Sequence, residues 1–155
     1  MAENKEMAGI DPLALDSQLC FPLYTAARMV TARYTPFLKE LDLTYTQYIC
    51  MMALWEEGPL AVKEIGARLH LDSGTLTPLL KKLEAKGYLT RKRNDQDERR
   101  LEVALTKAGS ALRERALAVP QQMGTCIDLT MEEAIQLRAL LDKVITGVDK
   151  SWRQR

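Results

Sequence analysis

The stretch from Val62 to Gly87 constrains the fold more than any other part of this 155-residue chain. Val62, Ile65 and Leu69 recur at helical spacing and predict one short helix. Asp72 follows after a short connection and can cap a second helix, which Gly87 then ends. The sequence therefore predicts two short helices joined by three residues, the arrangement of a helix-turn-helix.

The second of these helices has two unlike faces. Leu76, Leu79, Leu80 and Leu83 form one apolar stripe, which predicts its buried side. The polar and basic residues of the opposite face are Ser73, Gly74, Thr75, Thr77, Pro78, Lys81 and Lys82. Small hydroxyl side chains near a helix start can enter a DNA major groove, and a capped helix N-terminus attracts phosphate. We therefore expect this face to bind double-stranded DNA.

A hairpin is predicted directly after the second helix. Residues 89–94 and 101–106 are typical of two strands, with Leu101, Val103 and Leu105 alternating onto one buried face. A hairpin that follows a recognition helix is a wing. The basic residues that we expect near DNA phosphates at its base are Arg91, Lys92 and Arg93.

The turn of the wing, residues 95–100, has two possible roles. Arg99 and Arg100 can enter a minor groove, since narrow A·T-rich DNA attracts arginine. Asp95 and Asp97 can instead form ion pairs with Arg99 and shape the turn. The two roles are compatible, and the sequence leaves both open.

The basic charge is concentrated in the middle of the chain. Residues 61–107 contain 11 Lys or Arg against 7 Asp or Glu, whereas residues 1–60 contain 4 against 8. Such an excess is expected of a segment that meets a phosphate backbone. On charge alone a solvated basic face is the better explanation, so the DNA-binding prediction depends on the helix pattern.

Two helices are predicted before the helix-turn-helix. Residues 1–12 are expected to form a flexible arm, and a first helix to run from residue 13 or 16 to about residue 39. The second helix begins at a capping box formed by Thr44 and Gln47 and stops at Gly58.

Two more helices are predicted after the wing. One begins at Thr106 and runs to about Met123, disturbed by Pro120, and the last begins at a capping box of Thr130 and Glu133. The apolar seam of the last helix is Ala134, Leu137, Leu141, Val144 and Val148. Terminal amphipathic helices that flank a small winged domain more often build a dimer than pack internally. A homodimer would place two recognition helices on the half-sites of a pseudo-palindromic operator.

The predicted fold class is therefore mainly α with a small β-wing. We expect a single domain over 13–155, with the winged helix-turn-helix at about 44–106 and dimerisation helices at about 13–39 and 107–152. The apolar runs are shorter than the roughly 18 residues that span a membrane, and the N-terminus is unlike a secretory signal. The expected location is the cytoplasm.

The three cysteines are expected to be thiols there, because the cytoplasm is reducing. Cys20, Cys50 and Cys126 lack the paired spacing of a zinc site, and His70 is the only histidine, so we expect no metal. Cys50 lies in an apolar part of the second helix and is expected to be buried and inert. Cys20 becomes a reactive thiol if its surroundings favour the thiolate.

The segments Leu71–Glu84 and Asp97–Arg100, with the helices around them, resemble the MarR group of winged-helix regulators. The segments Leu15–Tyr24 and Leu43–Tyr48 are similar, more narrowly, to its organic-hydroperoxide-sensing branch, the OhrR type. The resemblance extends over nearly the whole chain from about Leu13. It implies a homodimeric repressor, with no cofactor, that releases DNA when an N-terminal cysteine is oxidised by an organic hydroperoxide.

The resemblance also assigns roles to individual residues. The redox-sensing cysteine corresponds to Cys20, and the two tyrosines that hydrogen-bond it correspond to Tyr34 and Tyr45. Tyr34 lies roughly 21 Å along the same predicted helix from Cys20, so we expect it to meet Cys20 of the other subunit. Cys126 resembles the resolving cysteine of two-cysteine members, which implies an intersubunit Cys20–Cys126 disulfide; a small-thiol adduct is the alternative. Apolar neighbours of Cys20 favour alkyl or lipid hydroperoxides over hydrogen peroxide.

Alternative roles for these residues stay open. Tyr34 and Tyr45 are also consistent with plain interface residues, and Cys20 with an incidental thiol in a MarR-type regulator of a small aromatic ligand. A thiol peroxidase is less consistent with the sequence, which has no thioredoxin-like βα pattern and would leave the basic winged segment unexplained. An architectural DNA-binding protein would not account for the cysteine and the tyrosines.

Overall fold

A computed structural model describes residues 11–93 and 101–153, without the side chains of 150–153. The described part is mostly helical, with one small sheet. Its elements are α1 (Cys20–Lys39), α2 (Tyr45–Glu57), β1 (Leu60–Ala61), α3 (Val62–Leu69), α4 (Ser73–Ala85), β2 (Leu89–Arg93), β3 (Leu101–Leu105), α5 (Lys107–Ala116), α6 (Ala118–Gly124) and α7 (Met131–Arg153). The predicted fold class, mainly α with a small β-wing, is confirmed.

The helix-turn-helix consists of α3 and α4, as predicted. The Asp72 side chain caps α4 by accepting a hydrogen bond from the Thr75 amide at 2.9 Å. The four leucines of the apolar stripe are all buried, and Leu83 is fully so. Gly87 follows α4 with a φ of +76°, a backbone conformation that glycine adopts without steric cost. Capping and burial therefore fix which face of α4 meets solvent.

The wing belongs to a three-stranded antiparallel sheet in the order β1-β3-β2. Val103 is fully buried in the central strand, opposite Leu60 of β1 and Arg91 of β2. Leu101 and Leu105 are only half-buried, so the predicted apolar face is sealed at its centre alone. The sequence did not predict β1, because a two-residue strand is too short to show an alternation.

The first helix begins later than predicted. A single 3-10 turn, Leu15–Ser17, precedes it, Gln18 has an extended backbone, and α1 starts at Cys20. An earlier start would place Pro22 in a helix interior, where its ring clashes with the preceding turn and its missing N–H removes a hydrogen bond. A start at Cys20 places Pro22 in the first turn, where no such bond is needed.

The helix predicted from Thr106 to about Met123 is also divided. Thr106 caps α5 as expected, with its hydroxyl accepting from the Gly109 amide at 3.0 Å. The helix breaks at Leu117, and Pro120 then lies in the first turn of α6. Both helices start two residues before a proline, which places each ring in a first turn where its missing N–H removes no hydrogen bond. Pro36 and Pro78, by contrast, lie inside α1 and α4.

The chain forms two compact units, one ending at Gln121 and one beginning at Gln122. The first contains α1, the winged helix-turn-helix and α5, around a core that includes Leu38, Met51 and Ile65. The second contains α7, which starts at the predicted capping box: the Glu133 amide donates to the Thr130 hydroxyl at 3.2 Å. Within the described residues, we find no helix with the length and hydropathy required to cross a bilayer.

Candidate DNA-binding face and cysteine sensor site

The predicted DNA-binding face of α4 is open to solvent. Its exposed residues are Ser73, Gly74, Thr75, Thr77, Pro78, Lys81 and Lys82. The Thr75 hydroxyl is engaged locally, since it donates to Asp72 Oδ2 at 2.9 Å. Hydrogen bonds from the Thr75 amide and hydroxyl lower the pKa of Asp72, which keeps this capping group ionised. The Asp72 cap therefore fixes the start of α4, while the outer face of the helix is exposed to solvent.

The basic residues at the base of the wing differ in their surroundings. Lys92 and Arg93 are exposed, whereas Arg91 is half-buried against α4. The guanidinium of Arg91 donates to Glu84 Oε2 through Nε at 3.0 Å and through Nη2 at 2.6 Å. Its contact with DNA phosphate stays a prediction, and its observed partner is an acid of the recognition helix. Arg99 and Arg100, predicted at the wing tip, lie outside the described residues.

Cys20 is the first residue of α1 and is exposed. Its apolar neighbours Leu19 and Tyr24 are 68% and 65% exposed, so the described residues of one chain do not close an apolar pocket around the sulfur. The apolar pocket that the sequence predicts around Cys20 therefore requires a second surface to cover it.

The two predicted tyrosine donors lie together, away from Cys20 of the same chain. The ring centroids of Tyr34 and Tyr45 are 4.9 Å apart. Tyr34 and Cys20 lie on one unbroken helix, 14 residues apart, which separates them by roughly 21 Å. Desolvation and the nearby Tyr45 raise the pKa of Tyr34, so its phenol stays protonated and able to donate at neutral pH.

The sequence did not indicate that two more aromatic residues extend this pair. The Tyr48 ring lies 6.0 Å from Tyr34, and the Trp55 ring lies 6.3 Å from Tyr48. Their spacing along α2 is equally typical of an ordinary buried face. A continuous aromatic row therefore runs from the predicted donors along α2.

The other two cysteines have opposite environments. Cys126 follows α6, is exposed, and donates weakly from Sγ to the Gln122 carbonyl at 3.5 Å. Cys50 is fully buried in α2, and burial raises its pKa to about 12. A thiol with so high a pKa has almost no thiolate at neutral pH and cannot attack a peroxide. Burial of Cys50 confirms the expectation, and the two exposed thiols are Cys20 and Cys126.

The sequence motifs did not indicate a set of contacts, here called the clamp, that joins the loop after α1 to the end of α4. Lys86, just past α4, donates to the Asp42 backbone carbonyl and pairs with its carboxylate at 3.1 Å. The Tyr88 hydroxyl donates to the Leu41 carbonyl at 3.4 Å. These contacts tie the loop between α1 and α2 to the end of the recognition helix. Their partners lie more than 40 residues apart in sequence, so no local pattern could reveal them.

Comparison with known proteins identifies the family. The family model described as transcriptional regulator SarA/Rot matches residues 32–115. The organic hydroperoxide resistance transcriptional regulator of Bacillus subtilis is 42% identical, over 93% of each chain. This chain belongs to the SarA/Rot family, a MarR-like group of winged-helix transcriptional regulators. It is a transcriptional regulator and not an enzyme, which removes the thiol peroxidase alternative.

Solved structures agree with this assignment. Reduced AbfR bound to DNA superposes with a TM-score of 0.76 at 32% identity, covering 88% of this chain and 93% of that one. AbfR, a protein of Staphylococcus epidermidis, has also been solved in a disulfide form, with a TM-score of 0.64 at 35% identity over 86% and 91%. Apo MarR of E. coli superposes with a TM-score of 0.67 at 27% identity over 82% and 96%. The winged-helix fold and the MarR resemblance are thereby confirmed.

Proposed function

We propose that this regulator is a cytoplasmic homodimeric repressor that binds a pseudo-palindromic operator when reduced and releases it when an organic hydroperoxide oxidises Cys20. One observation carries the proposal: α1 holds an exposed cysteine at its first residue and, near its far end, a tyrosine paired with Tyr45. The name of the Bacillus subtilis relative and the reduced and disulfide forms of AbfR support the same chemistry.

Exposed apolar side chains support the dimer. On α7, Leu137 is 44% exposed, Leu140 57% and Val148 52%, although they lie on a long amphipathic helix. Covering them with a second copy would remove this apolar surface from water. Antiparallel pairing of the α1 helices would bring Cys20 of one subunit to Tyr34 and Tyr45 of the other. Two hydroxyl donors would then stabilise the thiolate.

The proposed chemistry has two steps. The Cys20 thiolate attacks the terminal oxygen of the hydroperoxide, the O–O bond breaks, the sulfur becomes a sulfenic acid, and the alkoxide leaves as the alcohol after taking up a proton. The Cys126 thiolate of the other subunit then attacks the sulfenic sulfur, which forms a disulfide and releases hydroxide, protonated to water. If Cys126 does not take part, a small thiol completes the second step.

The clamp around Lys86 offers a route from the sensor to DNA. Movement of α1 would displace the loop that holds Asp42, and Lys86 and Tyr88 connect this loop to the junction of α4 and β2. Displacement of α4 would change the distance between the two recognition helices. A dimer reads two half-sites only at a fixed spacing, so such a change would release the operator.

The central test uses Cys20→Ser. The variant should bind operator DNA as tightly as the wild type and should no longer release it on treatment with cumene hydroperoxide. Cys50→Ser is the matched control and should respond normally, since its thiol is buried. Release by the Cys20→Ser protein would contradict the proposal, and its release by an aromatic carboxylate alone would support the ligand-sensing alternative.

A second test addresses the resolving step. Peroxide treatment should give a disulfide-linked dimer on a non-reducing gel, and Cys126→Ser should abolish that band. Mass spectrometry of the variant should then show Cys20 as a sulfenic acid or a small-thiol adduct. A linked dimer that persists in Cys126→Ser would rule out this cysteine as the resolving residue.

A further inference from the structure

The junction between the recognition helix and the wing is closed by one ion pair. Glu84 is the penultimate residue of α4, and Arg91 is the third residue of β2. Glu84 Oε2 accepts from Nε and Nη2 of Arg91, while Oε1 accepts from the Arg91 backbone amide at 3.1 Å. Both carboxylate oxygens are therefore used on a single residue, and these bonds hold the Glu84 pKa below its ordinary value.

The backbone bond has a particular place in the sheet. β2 is an edge strand, because the strand order is β1-β3-β2. The Arg91 amide donates to the Glu84 carboxylate, so an acid of α4 occupies a hydrogen-bonding position of this edge strand. Glu84 thus fixes the backbone of β2 relative to α4, in addition to pairing with a side chain.

The opposite side of the same junction is already fixed. The Thr106 hydroxyl donates to the Gly87 carbonyl at 2.6 Å, and the Thr106 amide donates to the Tyr88 carbonyl at 3.1 Å. These bonds connect the turn after α4 to the end of β3. The Glu84–Arg91 pair connects β2 back to the helix, so the turn is held on both sides.

The pair also limits what Arg91 can offer to DNA. Its side chain is 19% exposed, whereas the neighbouring Lys92 and Arg93 are exposed. A cation that already faces a carboxylate adds little positive potential toward a phosphate backbone. The sequence-based role of Arg91 as a direct phosphate contact therefore competes with its observed role inside the protein.

We propose that Arg91 is a positioning residue: with Glu84 it sets the angle of the wing relative to the recognition helix, and so the simultaneous fit of both to DNA. This inference rests on the proposed binding of an operator. A wing that is free to swing must be ordered when DNA binds, and the entropy of that ordering weakens the complex. Loss of Glu84 should therefore weaken DNA binding even though it removes a negative charge.

The variant Glu84→Gln separates the two roles by the sign of its effect. If Arg91 contacts phosphate, removing its acidic partner frees the guanidinium and leaves affinity unchanged or higher. If the pair positions the wing, the dissociation constant for operator DNA should rise about tenfold, with no change in the slope of log K against log salt. A lost phosphate contact would instead reduce that slope by about one.

Two further variants complete the test. The charge swap Glu84→Arg with Arg91→Glu should recover part of the lost affinity, because it restores the pair without restoring a cation at position 91. Glu114→Gln, which makes the same charge change on α5, is the control and should bind like the wild type. Hydrogen exchange of β2 amides, measured without DNA, should be faster in Glu84→Gln.

The outcomes are distinguishable from a failure of the proposed function. If the wild-type protein binds no operator, the proposed function is wrong. If the wild type binds operator DNA, either of two results shows that the positioning role is wrong. One is that Glu84→Gln binds DNA as tightly as the wild type or more tightly, and the other is that its β2 amides exchange at the wild-type rate. The positioning role would be established if Glu84→Gln bound DNA about tenfold more weakly with an unchanged slope of log K against log salt, and if the charge swap recovered part of that affinity.

Discussion

At the scale of single residues, burial decides which cysteine can react. Cys50 and Cys20 have the same side chain, yet one is fully buried and the other lies exposed at a helix start. The raised pKa of Cys50, about 12, leaves roughly one thiol in ten thousand ionised at pH 8. The sequence predicted a buried, inert Cys50, and the structure shows that its burial is complete.

This difference predicts the result of a thiol titration. With the aromatic disulfide DTNB at pH 8, the native reduced protein should show one slow thiol, and Cys50→Ala should remove that slow phase alone. In denaturant all three thiols should react at similar rates. Rapid reaction of all three in the folded protein would contradict the buried state of Cys50.

Gly109 supplies a second prediction at this scale. A Cβ built at this position would lie 1.9 Å from the Tyr88 carbonyl oxygen, where the start of α5 approaches the backbone next to the wing. Gly109→Ala should therefore lower the free energy of unfolding by about 2 kcal/mol or more, measured by urea denaturation. Gly124→Ala meets no atom within 4 Å and should be nearly neutral. Equal effects of the two substitutions would contradict this account.

At the scale of elements, four helices, α2, α4, α5 and α7, begin at a short polar side chain that caps them. Thr44, Asp72, Thr106 and Thr130 each accept a hydrogen bond from an amide three residues later. All four were predicted, because the donor and acceptor of such a cap lie within one turn of chain. Thr106 alone also binds a distant element, since its hydroxyl donates to the Gly87 carbonyl.

The double role of Thr106 leads to a prediction. Thr106→Ala loses the cap of α5 and the bond to Gly87, and should lower the free energy of unfolding by about 1–2 kcal/mol. Thr106→Ser keeps the hydroxyl and should have a free energy of unfolding close to that of the wild type. Both values come from urea denaturation, and a serine variant as unstable as the alanine variant would show that the hydroxyl is unimportant.

The acidic groups at helix ends predict a dependence on pH. Hydrogen bonds lower the pKa values of Asp72 and Glu133 from 3.8 and 4.5, so each binds protons more readily in the unfolded chain. Their stabilising effect is fully present above these ordinary values and is lost as pH falls through the lower folded values. The urea midpoint should therefore decrease below about pH 4.5, and less steeply for Glu133→Gln. An equal slope in the variant would exclude Glu133 as a cause.

At the scale of the whole molecule, exposed apolar surface predicts self-association. Val144 is 38% exposed and Leu137 44% on α7, where a soluble monomer would carry polar side chains. If the proposed dimer forms through this surface, Leu137→Glu should give a monomer in sedimentation equilibrium, because a charge would be buried against apolar neighbours. Lys143→Glu lies off the apolar seam and should remain dimeric. A dimeric Leu137→Glu protein would place the interface elsewhere.

The sequence alone indicated those features whose physical cause is local. The capped helices, the apolar stripe of α4 and the strand alternation after Gly87 each depend on residues within a few positions of one another. Pro22 and Pro120 were visible too, but their effect on helix boundaries became clear only when the helices were seen to start within two residues of them. Local patterns predicted the existence of those elements better than their ends.

The sequence by itself therefore determined the winged-helix architecture and predicted a recognition face, two candidate reactive thiols and one buried thiol. Tertiary structure decided how completely Cys50 is buried, that Glu84 holds Arg91, and that Lys86 reaches across to Asp42. The physical reason is the range of each interaction. A cap or an amphipathic face repeats within one or two helical turns, whereas burial and long-range ion pairs depend on how distant segments pack, which no short window of sequence records.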